Sequence, residues 1–222
     1  MAPHLDLFVF DLAGTTVVDD DHVLRSFMQA ARAFDLSVTR EELQSRMGWH
    51  KAKVFRSLLR ERGRDPESAE VMAERFEVEF AALAASEPLQ PTLGAHEVLM
   101  ALEDGGVQVA FNTGFTRNTA NVVLEAMGWR GRVSVASDEV SAGRPAPDLI
   151  QSAMAACQVD DPSRVGVAGD TPADLLAGKA ANAGMIVGLG CGTHSLDQLR
   201  ESPHTHLLDD LTALPSLVIG SD

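Results

Sequence analysis

The sequence predicts an α/β fold with a Rossmann-like parallel sheet, helices on both faces and an inserted all-helical cap subdomain. Short apolar runs rich in β-branched residues recur along the chain, and such runs are typical of strands buried in a parallel sheet. Helical patterns separate most of these runs, which favours parallel strands joined by crossover helices. The one long interruption of this alternation, residues 17–91, contains helical signals and no convincing strand.

The first predicted strand, Leu5–Phe10, is apolar and stops at Asp11, as expected for a buried strand that leads into a functional loop. The later predicted strands are Val107–Phe111, Val133–Ala136, Val165–Ala168, Met185–Leu189 and a weaker run at His206–Leu208. Thr171 and Pro172, which follow the fourth strand, suit the N-cap and the first position of a helix.

Helix signals fill the interruption after the first strand. Thr39 and Glu42 have the spacing of a capping box, and Asp65 stands before a proline in the pattern that begins many helices. Residues 70–85 predict one long helix, closed by the prolines that follow. The predicted domains are a core formed by residues 1–16 and 92–222 and a cap formed by residues 17–91.

Composition restricts the class of protein. The chain has 222 residues, of which 45% are apolar and 23% charged, so we expect a buried core and little disorder. The formal net charge of −14 argues against nucleic acid or membrane partners, because their phosphates would repel the chain. We find no signal peptide, no membrane-spanning apolar run and no disulfide framework, so we expect a cytoplasmic protein.

Polar residues follow the first two predicted strands, and ligands of open α/β sheets bind beyond the carboxyl ends of strands. Asp11 and the nearby Gly14 offer a carboxylate and backbone N–H groups to a ligand. Asn112, Thr113 and Gly114 offer amide, hydroxyl and backbone donors that suit a phosphate group. Taken singly, the segment at Asp11 could equally be an ordinary turn, and the segment at Asn112 could equally be a plain helix N-cap.

Charged residues follow the third and fourth predicted strands. Two prolines stiffen the loop that presents Arg144, which could hold a carboxylate nucleophile or a transferring phosphoryl group. Asp170 and Asp174 could join Asp11 around Mg²⁺, a hard cation that takes oxygen ligands. Alone, Arg144 could be a surface residue, and Asp174 a charge favoured by a helix dipole. The four signals in order, all at one sheet edge, favour a phosphoryl-transfer site.

In this order, the segments FDLAGTT, FNTGF, GRPAPD and GDTPADLLAG resemble the four motifs of the haloacid dehalogenase superfamily. The helical insert, residues 17–91, resembles the cap subdomain of that superfamily. The resemblance implies that Asp11 is the nucleophile and forms an aspartyl-phosphate. It also implies that Mg²⁺ lies on Asp11, the backbone carbonyl of Ala13 and Asp170, with Asp174 in support.

Two departures from the usual superfamily pattern point to one branch. Most phosphatases of the superfamily have a second Asp two residues after the nucleophile, where this chain has Ala13, and most members have Lys in place of Arg144. Both departures are shared with phosphonoacetaldehyde hydrolase and its close relatives, which cleave a C–P bond. In that branch a cap Lys after a Met-Gly pair forms an iminium with the substrate aldehyde. Lys51 follows Met47 and Gly48 at the matching place.

The resemblance therefore implies that Asp11, Lys51 and Arg144 are catalytic and that Met47 and Gly48 lie beside the substrate. It is incomplete, because this chain has Val54 and Phe115 where the branch has His and Tyr. Three alternatives stay open: a C–P hydrolase acting on phosphonoacetaldehyde or a related phosphonate, a phosphate monoester phosphatase of the phosphoglycolate type, and a binding protein.

Either enzymatic alternative implies a small anionic substrate. The resemblance also suggests a homodimer formed through the cap. Lys51 has its own structural alternative, a solvated lysine at the start of a helix. Lys53, two residues later, is expected on the surface, while Trp49 and His50 could line the cap face.

Overall fold

A parallel sheet of six strands runs through the computed structural model, which describes residues 4–219. The strand order is β3-β2-β1-β4-β5-β6, and every neighbouring pair is parallel. The strands are β1 (Leu7–Phe10), β2 (Gln108–Asn112), β3 (Val133–Val135), β4 (Val165–Gly169), β5 (Met185–Leu189) and β6 (His206–Leu208). This architecture confirms the predicted α/β fold with a Rossmann-like sheet.

Helices connect the strands and cover the sheet. They are α1 (His22–Ala33), α2 (Arg40–Gln44), α3 (Lys51–Glu61), α4 (Ala69–Ser86), α5 (Ala95–Asp104), α6 (Arg117–Ala126), α7 (Asp148–Ala156), α8 (Pro172–Ala180), α9 (Leu196–Leu199) and α10 (Leu214–Val218), with short 3₁₀ helices at Pro66–Ser68, Pro162–Arg164 and Leu211–Ala213. Within residues 4–219, none of these helices is long and apolar enough to cross a membrane.

Strand β1 shows why helices lie on both faces of the sheet. Its side chains alternate between faces, as a strand requires. Phe8 and Phe10 belong to one buried apolar cluster, and Leu7 and Val9 belong to the other. Because all four are apolar and buried, β1 can only lie inside a three-layer arrangement, between helices.

The helical insert contains α1 to α4 and has its own aromatic packing. The Phe27 ring lies 5.3 Å from Phe55 and 4.6 Å from Phe76, measured between ring centroids. The predicted capping box at the start of α2 is present, with the Thr39 side chain and the Glu42 side chain each bonded to the other's backbone. The contacts among the three phenylalanine rings join α1, α3 and α4 to one another.

The two segments that border the insert lie side by side. Val17 and Pro91 form an antiparallel bridge, and the Val18 N–H donates to the Gln90 carbonyl at 2.9 Å. The Thr92 N–H donates to the carbonyl of Thr16 at 3.0 Å. The chain therefore enters and leaves the insert at one place. The division into core and cap at residues 17 and 91 stays a prediction.

We predict that Phe8→Ala lowers the free energy of unfolding by about 3–5 kcal/mol, because the ring is fully buried in the central strand and its loss leaves a cavity. Urea unfolding followed by circular dichroism measures this change. Met100→Ala is the control, since Met100 is 58% exposed and should change stability by less than about 0.5 kcal/mol. Equal effects of the two substitutions would contradict the prediction.

Candidate active site

The candidate site lies where the central strands end. β1 is flanked by β2 and β4, so Asp11, Thr113 and Asp170, which follow these three strands, meet at one edge. The backbone N–H of Asp11 continues the ladder by donating to the carbonyl of Ala168 at 3.0 Å. The sheet thus holds the Asp11 backbone in place and leaves its side chain at the edge.

Arg144 connects three strand ends. It is only 1% exposed, so it is not the surface residue of the alternative interpretation. Its Nη2 donates to Asp11 Oδ1 at 2.7 Å and to the Asn112 backbone carbonyl at 2.8 Å, and it also contacts Asn112 Oδ1. Its Nη1 lies 2.7 Å from Asp174 Oδ1. Arg144 therefore orients Asp11 and balances part of the negative charge.

Three buried carboxyl groups cluster around this guanidinium. Asp11, Asp170 and Asp174 each place one oxygen within 4.8 Å of the others. Burial, together with repulsion from Asp11, raises the pKa of Asp170. Burial likewise raises the pKa of Asp174, against the opposing effect of Arg144. One arginine does not neutralise three carboxylates, so the cluster favours either protons or a further cation.

Hydrogen bonds from nearby threonines and from the N-terminus of α8 hold the carboxyl groups of Asp170 and Asp174. Asp170 Oδ1 accepts from the Thr15 hydroxyl at 3.0 Å, and its Oδ2 accepts from the Thr193 N–H at 2.7 Å. Asp174 Oδ2 accepts from the Thr171 N–H at 3.0 Å, within the capping box that begins α8. Thr15 and Thr193 were not singled out from the sequence, because their partner is distant along the chain.

The donor set fits Mg²⁺. Every candidate ligand is an oxygen, as this hard cation requires. Asp174 Oδ1 is buried and accepts no well-directed hydrogen bond from the described residues, although Arg144 lies close to it. Ala13 lines the cavity beside Asp11. Excess buried negative charge and an oxygen without a hydrogen bond are the features expected where a cation binds.

Two glycines permit the close packing of Asp170. A Cβ at Gly14 would lie 2.3 Å from Asp170 Oδ2, and a Cβ at Gly192 would lie equally close, at 2.3 Å. Gly14 also has a φ of +83°, which disfavours any residue with a side chain. The turn after β1 therefore requires glycine both for its backbone conformation and for space.

Lys51 lies inside the protein, at the first position of α3. It is 5% exposed, so it is not the solvated lysine of the alternative interpretation. Its Nζ lies 5.5 Å from the ring centroid of Phe27, 5.2 Å from Phe76 and 4.7 Å from Phe115. Burial lowers the pKa of Lys51 to about 8. About one tenth of the amine is therefore neutral, and nucleophilic, at pH 7.

A small cavity of about 30 Å³ joins these groups. Asp11, Lys51 and Arg144 all line it, together with Thr113, Gly114, Met47 and Gly48. The predicted catalytic residues thus line one cavity together with most of the predicted binding residues. Asn112 contacts Arg144 and lies outside this lining. Its position suits holding the guanidinium.

The turn at Gly48 is where the insert meets the sheet edge. Gly48 has a φ of +81°, and a Cβ there would lie 2.7 Å from the Thr171 hydroxyl oxygen. A Cβ at Gly114 would lie 2.9 Å from the Gly48 carbonyl oxygen. Both glycines let the two parts of the chain approach closely, which brings Lys51 toward Asp11.

Local contacts explain the positions of the residues next to Lys51 in the sequence. The His50 Nδ1 accepts from the Ala52 N–H at 3.2 Å and caps α3, and burial lowers the pKa of His50. Trp49 is partly buried and packs against the apolar cluster. Lys53 is exposed, as predicted, and its Nζ lies 4.7 Å from the Trp49 ring.

We predict that one lysine titrates with a pKa of about 8, charged below that pH and neutral above it. The chain has three lysines, so NMR of isotopically labelled lysine side chains can separate them. The signal should vanish in Lys51→Arg and persist in Lys53→Arg. Its persistence in Lys51→Arg would assign the shifted amine to another residue.

We predict that Mg²⁺ raises the Tm of the protein, since a bound ion relieves repulsion among Asp11, Asp170 and Asp174. At about one hundred times its Kd, it should add about 2.7 kcal/mol of stability. Differential scanning calorimetry should show this gain lost in Asp170→Asn and retained in Asp197→Asn, whose side chain is 90% exposed in the wild type. An equal gain in Asp170→Asn would place the ion elsewhere.

Comparison with known proteins identifies a family to which this chain is similar. A model of the haloacid dehalogenase-like hydrolases matches residues 5–182. The phosphonoacetaldehyde hydrolase of Bacillus cereus is 31% identical over 209 residues, covering 86% of this chain and 78% of that protein. This confirms the resemblance seen in the sequence motifs.

Solved structures share the fold. A hydrolase from Pseudomonas syringae superposes with a TM-score of 0.87 at 25% identity, covering 96% of this chain and 97% of that one. A phosphonoacetaldehyde hydrolase-like protein from Oleispira antarctica gives 0.83 at 20% identity, covering 100% and 96%. With a family model that spans most of its length, the chain belongs to the haloacid dehalogenase-like hydrolases and is a hydrolase.

Proposed function

We propose that this protein is a Mg²⁺-dependent hydrolase that cleaves the C–P bond of phosphonoacetaldehyde or a closely related phosphonate. The observation that carries the proposal is that a buried lysine amine shares one small cavity with the Asp11 carboxylate. An amine that reacts with a carbonyl and a carboxylate that attacks phosphorus are the two groups that this reaction needs.

Ala13 supports C–P cleavage over ester cleavage. An ester phosphatase gains about 10²–10⁴-fold from an acid that protonates the leaving oxygen. The Ala13 methyl group, which lines the cavity, has no proton to donate. A carbon leaving group has a different need, because its electron pair must be delocalised, and an iminium on Lys51 does this.

The reaction begins at Lys51. The neutral amine attacks the aldehyde carbon, and loss of water from the adduct leaves an iminium. Asp11 then attacks phosphorus, the C–P bond breaks, and its electron pair moves into the iminium to give an enamine. Protonation of the enamine carbon and hydrolysis of the resulting iminium release acetaldehyde and restore Lys51. Water hydrolyses the aspartyl-phosphate and releases phosphate.

The remaining residues bind and orient. Arg144 holds the Asp11 carboxylate at 2.7 Å and can neutralise charge on the transferring group. Thr113 and Gly114 line the cavity and can donate to phosphoryl oxygens. Mg²⁺ held by Asp11, the Ala13 carbonyl, Asp170 and Asp174 would supply positive charge between the carboxylate and the phosphoryl oxygens.

The insert contributes the lysine, and the sheet edge contributes the phosphoryl site. We propose that residues 17–91 act as a cap, supported by the paired crossings at Val17 and Pro91. The homodimer and the cytoplasmic location stay predictions.

We predict that Lys51→Arg lowers phosphate release from phosphonoacetaldehyde by at least about 10³-fold, because arginine keeps the charge and cannot form the imine. Lys53→Arg is the matched control and should retain activity. Borohydride should trap an adduct on the peptide containing Lys51 in the wild type, detected by mass spectrometry.

A different outcome would favour the phosphatase alternative. If the wild type releases no phosphate from phosphonoacetaldehyde but hydrolyses phosphoglycolate, and Lys51→Arg hydrolyses it equally well, then Lys51 has no covalent role. Absence of turnover with either substrate class would favour a binding protein.

A further inference from the structure

One titratable residue of the cavity has no role in the proposed reaction. Four of the residues that line the cavity carry acidic or basic side chains: Asp11, Asp19, Lys51 and Arg144. Three of them act on phosphorus or on the aldehyde. Asp19 is the remaining carboxyl group, and it comes from the segment between β1 and α1, within the helical insert.

Only one oxygen of the Asp19 carboxyl group accepts a hydrogen bond from the residues that the structure describes. Its Oδ1 accepts from the Val23 N–H at 2.9 Å, at the start of α1. Its Oδ2 accepts no hydrogen bond from the residues that the structure describes. Asp19 also borders a second cavity of about 340 Å³, which Met47 and Thr193 border as well. It therefore stands between the inner cavity and a larger space that can hold water.

The surroundings of Asp19 suit proton exchange near neutral pH. The residue is mostly buried, and burial raises its pKa to about 7. The charged groups that act on it are Lys51, which opposes this rise, and Asp21 and Asp11, which add to it. Both the acid and the carboxylate are thus populated at the pH where the Lys51 amine is partly neutral.

We propose that Asp19 is the acid–base residue for the chemistry of Lys51. This inference rests on the proposed function and assigns a further catalytic residue to it. When the Lys51 adduct loses its hydroxyl group, protonated Asp19 donates a proton to that oxygen, the C–O bond breaks, and water and the iminium form. When water later attacks the iminium re-formed by protonation of the enamine carbon, the Asp19 carboxylate accepts a proton from that water, and a neutral adduct forms.

The other groups that line the cavity cannot serve this purpose. Glu77 also acts on the charge of the Lys51 amine, but it lies outside the cavity lining, and its Oε2 accepts from the Thr116 and Thr119 hydroxyl groups. Phe115 and Val23 are apolar, and Ala13 has only a methyl group. Arg144 stays protonated throughout the accessible pH range. The Thr113, Thr171 and Thr193 side chains line the cavity, but hydroxyl groups do not ionise near neutral pH.

Asp19→Asn tests the proposal, because asparagine keeps the shape and an oxygen that can accept from Val23 while it cannot donate an acidic proton. Asp20→Asn is the matched control, since Asp20 is adjacent, exposed and outside the inner cavity. The measurement is the initial rate at which borohydride traps phosphonoacetaldehyde on Lys51, followed by mass spectrometry between about pH 6 and pH 9, the range around both pKa values. Calorimetry compares the folding of the variants.

We expect Asp19→Asn to slow trapping by about 10²-fold, the lower end of the range for loss of an acid–base group, and Asp20→Asn to leave it unchanged. A purely electrostatic role predicts the opposite direction. The Asp19 charge raises the pKa of Lys51, so its removal would leave more neutral amine and faster attack. Unchanged or faster trapping in Asp19→Asn would therefore overturn the proposal.

Two further outcomes keep the inference separate from the proposed function. If the wild type forms no trapped adduct, the imine mechanism fails and Asp19 loses its role with it. If Asp19→Asn unfolds at a lower temperature, Asp19→Glu decides the question. Trapping restored by glutamate supports a role for the carboxyl group, and trapping that stays slow in a folded Asp19→Glu protein opposes it.

Discussion

Three carboxyl groups, Asp11, Asp170 and Asp174, cluster at the edge of the sheet, and two of them, Asp11 and Asp174, contact the buried guanidinium of Arg144. Moving a charged group from water into a protein costs several kcal/mol, so this cluster persists only while Arg144 and a set of N–H and O–H donors offset that cost. The arrangement explains why the loops after β1 and β4 are so tightly packed. Its negative charge exceeds what one arginine neutralises, so a bound cation would stabilise the cluster.

The aromatic surroundings of Lys51 depend on both parts of the chain. Phe27 and Phe76 belong to the helical insert, while Phe115 lies in the loop after β2. A ring face attracts the charged amine, whereas exclusion of water favours the neutral amine. Burial lowers the pKa of Lys51 and so favours the neutral amine. The insert and the sheet edge together bury the amine.

Most of the fold could be predicted from the sequence, because strands such as β1 and β5 are apolar throughout and helical patterns separate them. Arg144 and the residues at the strand ends were predictable because their motifs occur in a fixed order. Asp19 was not, since it begins a run of three acidic residues that is typical of an exposed loop. Its burial depends on how the insert packs, a contact between distant segments that no local pattern records.

The insert and the sheet edge carry different residues of the site, and this separation has a consequence for how new substrate specificities arise. Under the proposed function, Asp11 and Arg144, which act on phosphorus, are carried by loops at the sheet edge, whereas Lys51 and Asp19 are carried by the insert. Substitutions in the insert can therefore change which carbon group is accepted and how it departs. Such substitutions would leave the phosphoryl site at the sheet edge unchanged, so one such site could be combined with many different leaving groups.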